Sequence, residues 1–305
     1  MLDLSHIPNS QQDIKIFYAN SGGFGYQTWQ KPRKCNFVYI ISIDGGGGGS
    51  SGRVATDANA TSGLAGGGSG AVTRALIDSK FVPDTLYIKV GKGGKGGAAA
   101  TVNFNTGGSA EASGVFASSR LSSQGLANPF FSFLGGYTPS SGGGLTVGTG
   151  ASATTTSTSY QVTLTTFTST AGISSAATAS STTPTEIQPL ASQIVTAGCT
   201  GAPITSGSAF NGGSINSSSF SLRIAGGIGD AALGTDGSNG FTSWNPFFST
   251  GGAGGGNAHT SGGVAGKGGN GGIGSGGGAG GSAASGSTSG AGGDGGDGVV
   301  IIISF

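Results

Sequence analysis

The sequence predicts an all-β fold with almost no α-helix: a β-sandwich-like base carrying bundled, polyglycine-II-like glycine-rich helices. Three observations point there. Apolar runs of five to seven residues, rich in β-branched and aromatic types, recur along the chain. Glycine tracts adjoin those runs, and 67 of the 305 residues are glycine. No stretch carries the 3.6-residue apolar period of an amphipathic helix.

Taken in order, Asp13-Ile-Lys-Ile-Phe17 alternates with period two and predicts a half-buried strand. Phe37-Val-Tyr-Ile-Ile-Ser-Ile43 is apolar on both faces, predicts a buried strand and runs into Gly45 to Gly49. Leu86-Tyr-Ile-Lys-Val90 runs into Gly91-Lys-Gly-Gly-Lys-Gly-Gly97. Residues 140–183, dense in Ser, Thr and Gly, predict a polar β-rich or loop segment, within which Tyr160 to Phe167 alternates as a strand. Phe220-Ser-Leu-Arg-Ile224 runs into Gly226-Gly-Ile-Gly229. At the C-terminus the order reverses, and Gly292-Gly-Asp-Gly-Gly-Asp-Gly298 feeds Val299-Val-Ile-Ile-Ile-Ser-Phe305. Residues 1–44, with 299–305, are expected to form the base. Residues 45–298 interleave tracts and strands in a single intertwined domain.

From Gly268 to Ser282 the chain reads Gly-Gly-X, broken once at Ser275, with Asn270, Ile273, Gly276, Ala279 and Ser282 in the third phase. A period of three matches the left-handed extended helix, which has no internal hydrogen bonds. Buried amides and carbonyls on such a segment must therefore find partners on neighbouring segments. Fixing glycine in regular structure costs roughly 0.5–1 kcal/mol against alanine. Net gains of roughly 0.5–1.5 kcal/mol per hydrogen bond offset that only if most tract amides are paired. A lone tract cannot achieve this, but a bundle can.

Composition excludes several classes. With 13 basic and 12 acidic side chains the net charge is +1, too small to drive binding to nucleic acid. The longest apolar run, Val299 to Ile303, is too short for a membrane-spanning helix. The start, from Met1 to Pro8, lacks a basic region followed by an apolar core, so no signal peptide is expected. Without one, the sequons at Asn59 and Asn216 are not read as glycosylated. Cys35 and Cys199 make no disulfide framework, and with His6 and His259 the only histidines, neither a metal site nor a cofactor is expected. Collagen is excluded because prolines are absent where glycine is densest.

Catalytic motifs fail in the same way. Gly91-Lys92, Gly94-Lys95 and Gly266-Lys267 are each followed by glycine, whereas a phosphate loop needs Ser or Thr there. No nucleophile elbow has a nearby histidine base. Asp294 and Asp297 share a phase of one tract and read as solvated or ion-paired surface groups. Lys92, Lys95 and Lys267 read as solubilising charges, with a polyanion contact as the rival reading. No enzyme is expected.

One repeat suggests a contact site. Asn128-Pro-Phe-Phe-Ser132 recurs as Asn245-Pro-Phe-Phe-Ser249, and Asn-Pro favours chain reversal. The Phe pairs Phe130-Phe131 and Phe247-Phe248 either plug apolar gaps at the bundle ends or form exposed loops that contact a receptor. They are the candidate surface-contact residues.

The stretch Trp29-Gln-Lys-Pro32, then Phe37 to Gly49, resembles the opening of the glycine-rich domain of tailed-bacteriophage virion proteins. The ending from Gly292 to Phe305 is similar to that family's close, while residues 140–215 match it poorly. The resemblance implies a structural virion protein, a tail fibre or fibre tip with possible host-receptor binding. Subunit association would bury further area, so a homo-oligomer is expected, and the resemblance implies a trimer whose partners are other virion proteins and a host cell-surface molecule. No nucleic acid and no membrane insertion are expected from the charge and the short apolar runs. The alternatives are a capsid- or tail-decorating protein without a receptor role and an ice-binding glycine-helix protein.

Overall fold

The β-branched runs at Phe37–Ile43 (β3) and Val299–Ser304 (β13) lie side by side, antiparallel, with Ile41 opposite Ile301 and Ile43 opposite Val299. This computed structural model describes residues 13–20, 25–55, 63–116, 132–134, 142–143, 164–171, 174, 194–204, 207–217, 222–245 and 247–305. Among them the architecture is nearly all β, and helix is confined to a single 3₁₀ turn, Ser79–Phe81.

Flanking β3 and β13 are Asp13–Tyr18 (β1), Val72–Asp78 (β4) and Leu164–Thr170 (β8), giving a five-stranded antiparallel sheet ordered β1-β13-β3-β4-β8. A second antiparallel sheet of four strands joins Gln27–Gln30 (β2), Thr85–Lys89 (β5), Gly114–Phe116 (β6) and Ser132–Leu134 (β7). Two small antiparallel pairs complete the set: Ile215–Ser217 (β9) with Leu222–Ile224 (β10), and Thr242–Trp244 (β11) with Phe247–Ser249 (β12).

The two central strands are apolar at almost every position because both of their faces are covered. Val38, Ile40, Val300 and Ile302 cluster with Trp29, Leu86, Ile88 and Val115 of the four-stranded sheet. On the opposite face Ile41, Ile43, Val299, Ile301 and Ile303 meet Ile194, Val195 and Phe247. The edge strand β1 forms where it is expected, but its burial runs against the alternation of its sequence: Phe17 packs on the core, while Ile14 and Ile16 are about 40% exposed.

Sequence reading missed β4, which lies between β3 and β8. Thr73, Arg74 and Ala75 interrupt its apolar pattern, yet Ala75 and Ile77 are buried in the inter-sheet cluster. The strand expected from Tyr160 is seen as β8 from Leu164, its first residues lying outside the described set; the strand expected from Phe220 is likewise seen as β10 from Leu222.

Strands become tracts in one layer. Asp44 follows β3 and donates its N–H to Ala71 O at 3.1 Å, just before β4. Gly298, just before β13, donates to Gly91 O at 2.8 Å, just after β5.

Candidate functional site

Beyond that layer the backbone itself makes the contacts. In tract 45–55, Gly45, Gly48 and Ser51 donate N–H to Glu111, Gly108 and Asn105 at 2.9–3.1 Å. Gly46, Gly49 and Gly52 donate to Gly296, Gly293 and Gly290 at 2.8–2.9 Å. Gly47 and Ser50 donate to Gly68 and Ala65. Each partner set descends in steps of three, so all three neighbours run antiparallel to this tract. Its carbonyls accept from Gly94 and Gly97 on one neighbour and from Gly277 and Gly280 on another, both parallel to it.

Tract 274–284 repeats the arrangement. Gly276, Ala279 and Ser282 donate to Thr196, Cys199 and Ala202; Gly277, Gly280 and Ala283 donate to Gly47, Ser50 and Arg53; Ser275, Gly278 and Gly281 donate to Gly272, Gly269 and Gly266. Glycine is required where tracts touch most closely. A Cβ added at Gly49 or Gly52 would overlap the carbonyl oxygen of Gly278 or Gly281, and one at Gly290 would overlap that of Gly266.

On one side of the bundle, side-chain oxygens of a neighbouring tract take the place of backbone carbonyls as acceptors. The amides of Lys267, Asn270 and Ile273 donate to Asp236 Oδ1 (2.7 Å), Asn239 Oδ1 (2.8 Å) and Thr242 Oγ1 (3.0 Å). Asn270 Oδ1 in turn accepts from Asp294 N–H at 3.0 Å. Asp294 Oδ1 and Asp297 Oδ1 accept from Gly96 and Gly93 at 2.8 Å. The acceptors recur every third residue, which is the amide period of the tracts they close. Asp294 also pairs with Lys95 at 2.9 Å. Burial would push its carboxyl up, but the Gly96 N–H and the Lys95 and Lys267 charges outweigh that and hold it below the usual carboxylate range.

Tract ends are tied together by turns. Thr260 and Val264 donate to Ala231 O and Ala232 O at 2.8 Å, Gly263 donates to Ser287 Oγ at 3.1 Å, and Ser287 Oγ donates to Thr260 O at 2.8 Å. Gly262 and Gly286 hold these turns with φ of 78° and 75°, a conformation that suits glycine. Beside the turns Leu233 and Val264 are bridge partners, 66% and 47% exposed, and Ile228 is 62% exposed. Large apolar residues left in water on a small-residue surface form the best candidate contact site in the described chain.

The residues singled out from sequence fare differently. Phe247 and Phe248 are buried, 4% and 6% exposed, which corrects their reading as exposed contacts. The chain does reverse between β11 and β12, but the hairpin turns Phe247 into the core against Ile303 and its neighbours, and Trp244 stacks edge-on at 5.2 Å. Phe130 and Phe131 lie outside the described residues. Ile228, Leu233 and Val264 were missed, although their signal is plain: single large apolar residues set in Gly-Gly-Ile-Gly, Ala-Ala-Leu-Gly and Gly-Gly-Val-Ala. Among the described residues no group of three or more His, Cys, Asp or Glu could hold a metal ion.

Small antiparallel sheets continued by glycine tracts that bond through their backbones define a glycine-rich β protein. The chain belongs to the glycine-rich domain family, whose model matches residues 20–304. No curated protein matches it.

Proposed function

We propose that this chain is a non-catalytic structural protein of a tailed-bacteriophage virion, a fibre or fibre-tip component. The tracts are polyglycine-II-like rods and the two larger sheets a sandwich-like base. One observation carries this reading: consecutive amides of tracts 45–55 and 274–284 donate in rotation to three different neighbours. That is the bonding expected of threefold extended rods packed side by side. Such a bundle is stiff because displacing one rod breaks bonds on several sides together. The turns that join the rods, with Ile228, Leu233 and Val264 exposed beside them, then form the end that meets a host surface molecule. A homotrimer is the assembly proposed, as the family resemblance implies.

The test is made on particles. Labelled protein should appear on the virion in cryo-imaging, and analytical ultracentrifugation of the purified chain should give a trimer mass. A Leu233→Ser, Val264→Ser double variant should assemble normally and lose adsorption to host cells. Absence from the particle overturns the virion assignment; full adsorption by the variant overturns the contact role.

A further inference from the structure

Asp44 occupies the layer where strands become tracts, and it is the buried acid of that layer. Its residue is 0% exposed. Oδ1 accepts the Ser113 N–H at 2.7 Å, while Oδ2 has no hydrogen-bond partner. Ser113 is itself a junction: its Oγ donates to Ile43 O at 2.8 Å and accepts from Gly91 N–H at 2.9 Å. Gly91 O accepts from Gly298, and the Asp44 amide donates to Ala71 O. Through Asp44 and Ser113, the ends of β3, β4, β5, β6 and β13 are therefore held together at the root of the bundle.

An ionised carboxylate in this place would be fully buried, with only the Ser113 and Ala71 N–H groups favouring its charge, a large desolvation cost. Among the described residues no charge compensates it. On the adjoining segments, Lys89 and Glu111 pair with each other at 3.7 Å. Asp297 accepts the Gly93 N–H, and Lys92 is partly exposed. None of these four acts on Asp44. The neighbouring parts of β3, β4 and tract 274–284, namely Ser42, Gly70, Ala71 and Gly274, bring no charge.

We propose that Asp44 is a proton-dependent lock between the β-base and the glycine bundle, closed while its carboxyl is neutral and loosened when the carboxyl ionises. This goes beyond the virion reading and does not depend on it. Consistent with the geometry, burial raises the carboxyl from 3.8 to about 7, opposed only by backbone hydrogen bonds from Ser113 and Ala71. A group with a raised folded-state pKa binds an extra proton in the folded chain. Its stabilisation is thus complete below the unfolded value and is lost as pH rises through about 7. A shift of about three pH units corresponds to roughly a thousand-fold change in the folding constant across that window.

Carbon-13 NMR titration of the Asp44 carboxyl in the unaltered chain, with amide exchange at Gly91 and Ser113, provides the direct test. The lock requires a titration near neutrality and a loss of protection at both amides, beyond the intrinsic pH effect, over the same range. Thermal unfolding of Asp44→Asn, which keeps the acceptor for Ser113, should lose the neutral-pH decline seen in the unaltered chain. A carboxyl titrating near 4 overturns the proposal, as does protection unchanged from pH 5 to 8. A folded Asn variant with the unaltered chain's pH profile also overturns it, and the titration decides the matter if that variant does not fold.

Discussion

Gly49→Ala places a single methyl group at the centre of the bundle. Gly49 is buried, donates to Gly293 O and accepts from Gly97 N–H, both at 2.9 Å. The new Cβ would overlap the Gly278 carbonyl, and Ala279 N lies 2.9 Å from the same point. Relief requires tracts 45–55 and 274–284 to separate. Separation stretches the bonds from Gly277 to Gly47 and from Gly280 to Ser50, now 2.9 Å each. Each buried group left unpaired costs about 1–3 kcal/mol. Two broken bonds plus overpacking of about 1–3 kcal/mol outweigh the gain of about 0.4–1 kcal/mol from a stiffer unfolded chain. The net expectation is a loss of about 4 kcal/mol, which lowers the melting temperature by about 6 °C. Gly108→Ala is the control, because its Cβ would come only to 3.2 Å from Lys95 N. Differential scanning calorimetry of the two variants decides the matter. If Gly49→Ala melts with the unaltered chain, close backbone approach is not what holds the tracts.

Two further outcomes follow from the same geometry. Phe247→Ala should cost about 3–5 kcal/mol, the usual penalty for emptying a buried aromatic site, and chemical denaturation should show it; an unchanged midpoint would return Phe247 to the surface. Lys95→Ala should cost less than about 1 kcal/mol because Lys95 itself is largely exposed, and the difference from the unaltered chain should vanish in 1 M salt. The depressed carboxyl of Asp294 contributes stability that is present at neutral pH and lost as pH falls through its folded value. Asp294→Asn should flatten that acid limb in a pH series of melting temperatures, and an unaltered limb would assign it to other carboxylates.

Much of the five-stranded sheet was legible because its strands announce themselves locally. The runs at Phe37 and Val299 are apolar at nearly every position, which a strand tolerates only when both faces are covered. β4 was illegible for the complementary reason: Ala75 earns its place by fitting between larger neighbours, and a small residue carries little pattern of its own. The contact candidates failed likewise. A repeated Asn-Pro-Phe-Phe marks a reversal, and local chemistry places the bend, but whether Phe247 faces core or water depends on a sheet whose strands come from both ends of the chain. Ile228 and Leu233 stand out in the sequence as single large apolar residues among glycine and alanine, but that they face water is decided by the packing.

From residue order alone came the near absence of helix, the strand–glycine alternation and the three-residue period, since each is a property of a segment and its immediate neighbours. Which tract bonds to which, that Asp236, Asn239 and Thr242 accept the amides of Lys267, Asn270 and Ile273, and that Asp44 is buried were decided only in three dimensions. A glycine amide is chemically identical at every position, so nothing in its identity names its partner. The partner is chosen by which backbones the surrounding strands hold within hydrogen-bonding distance.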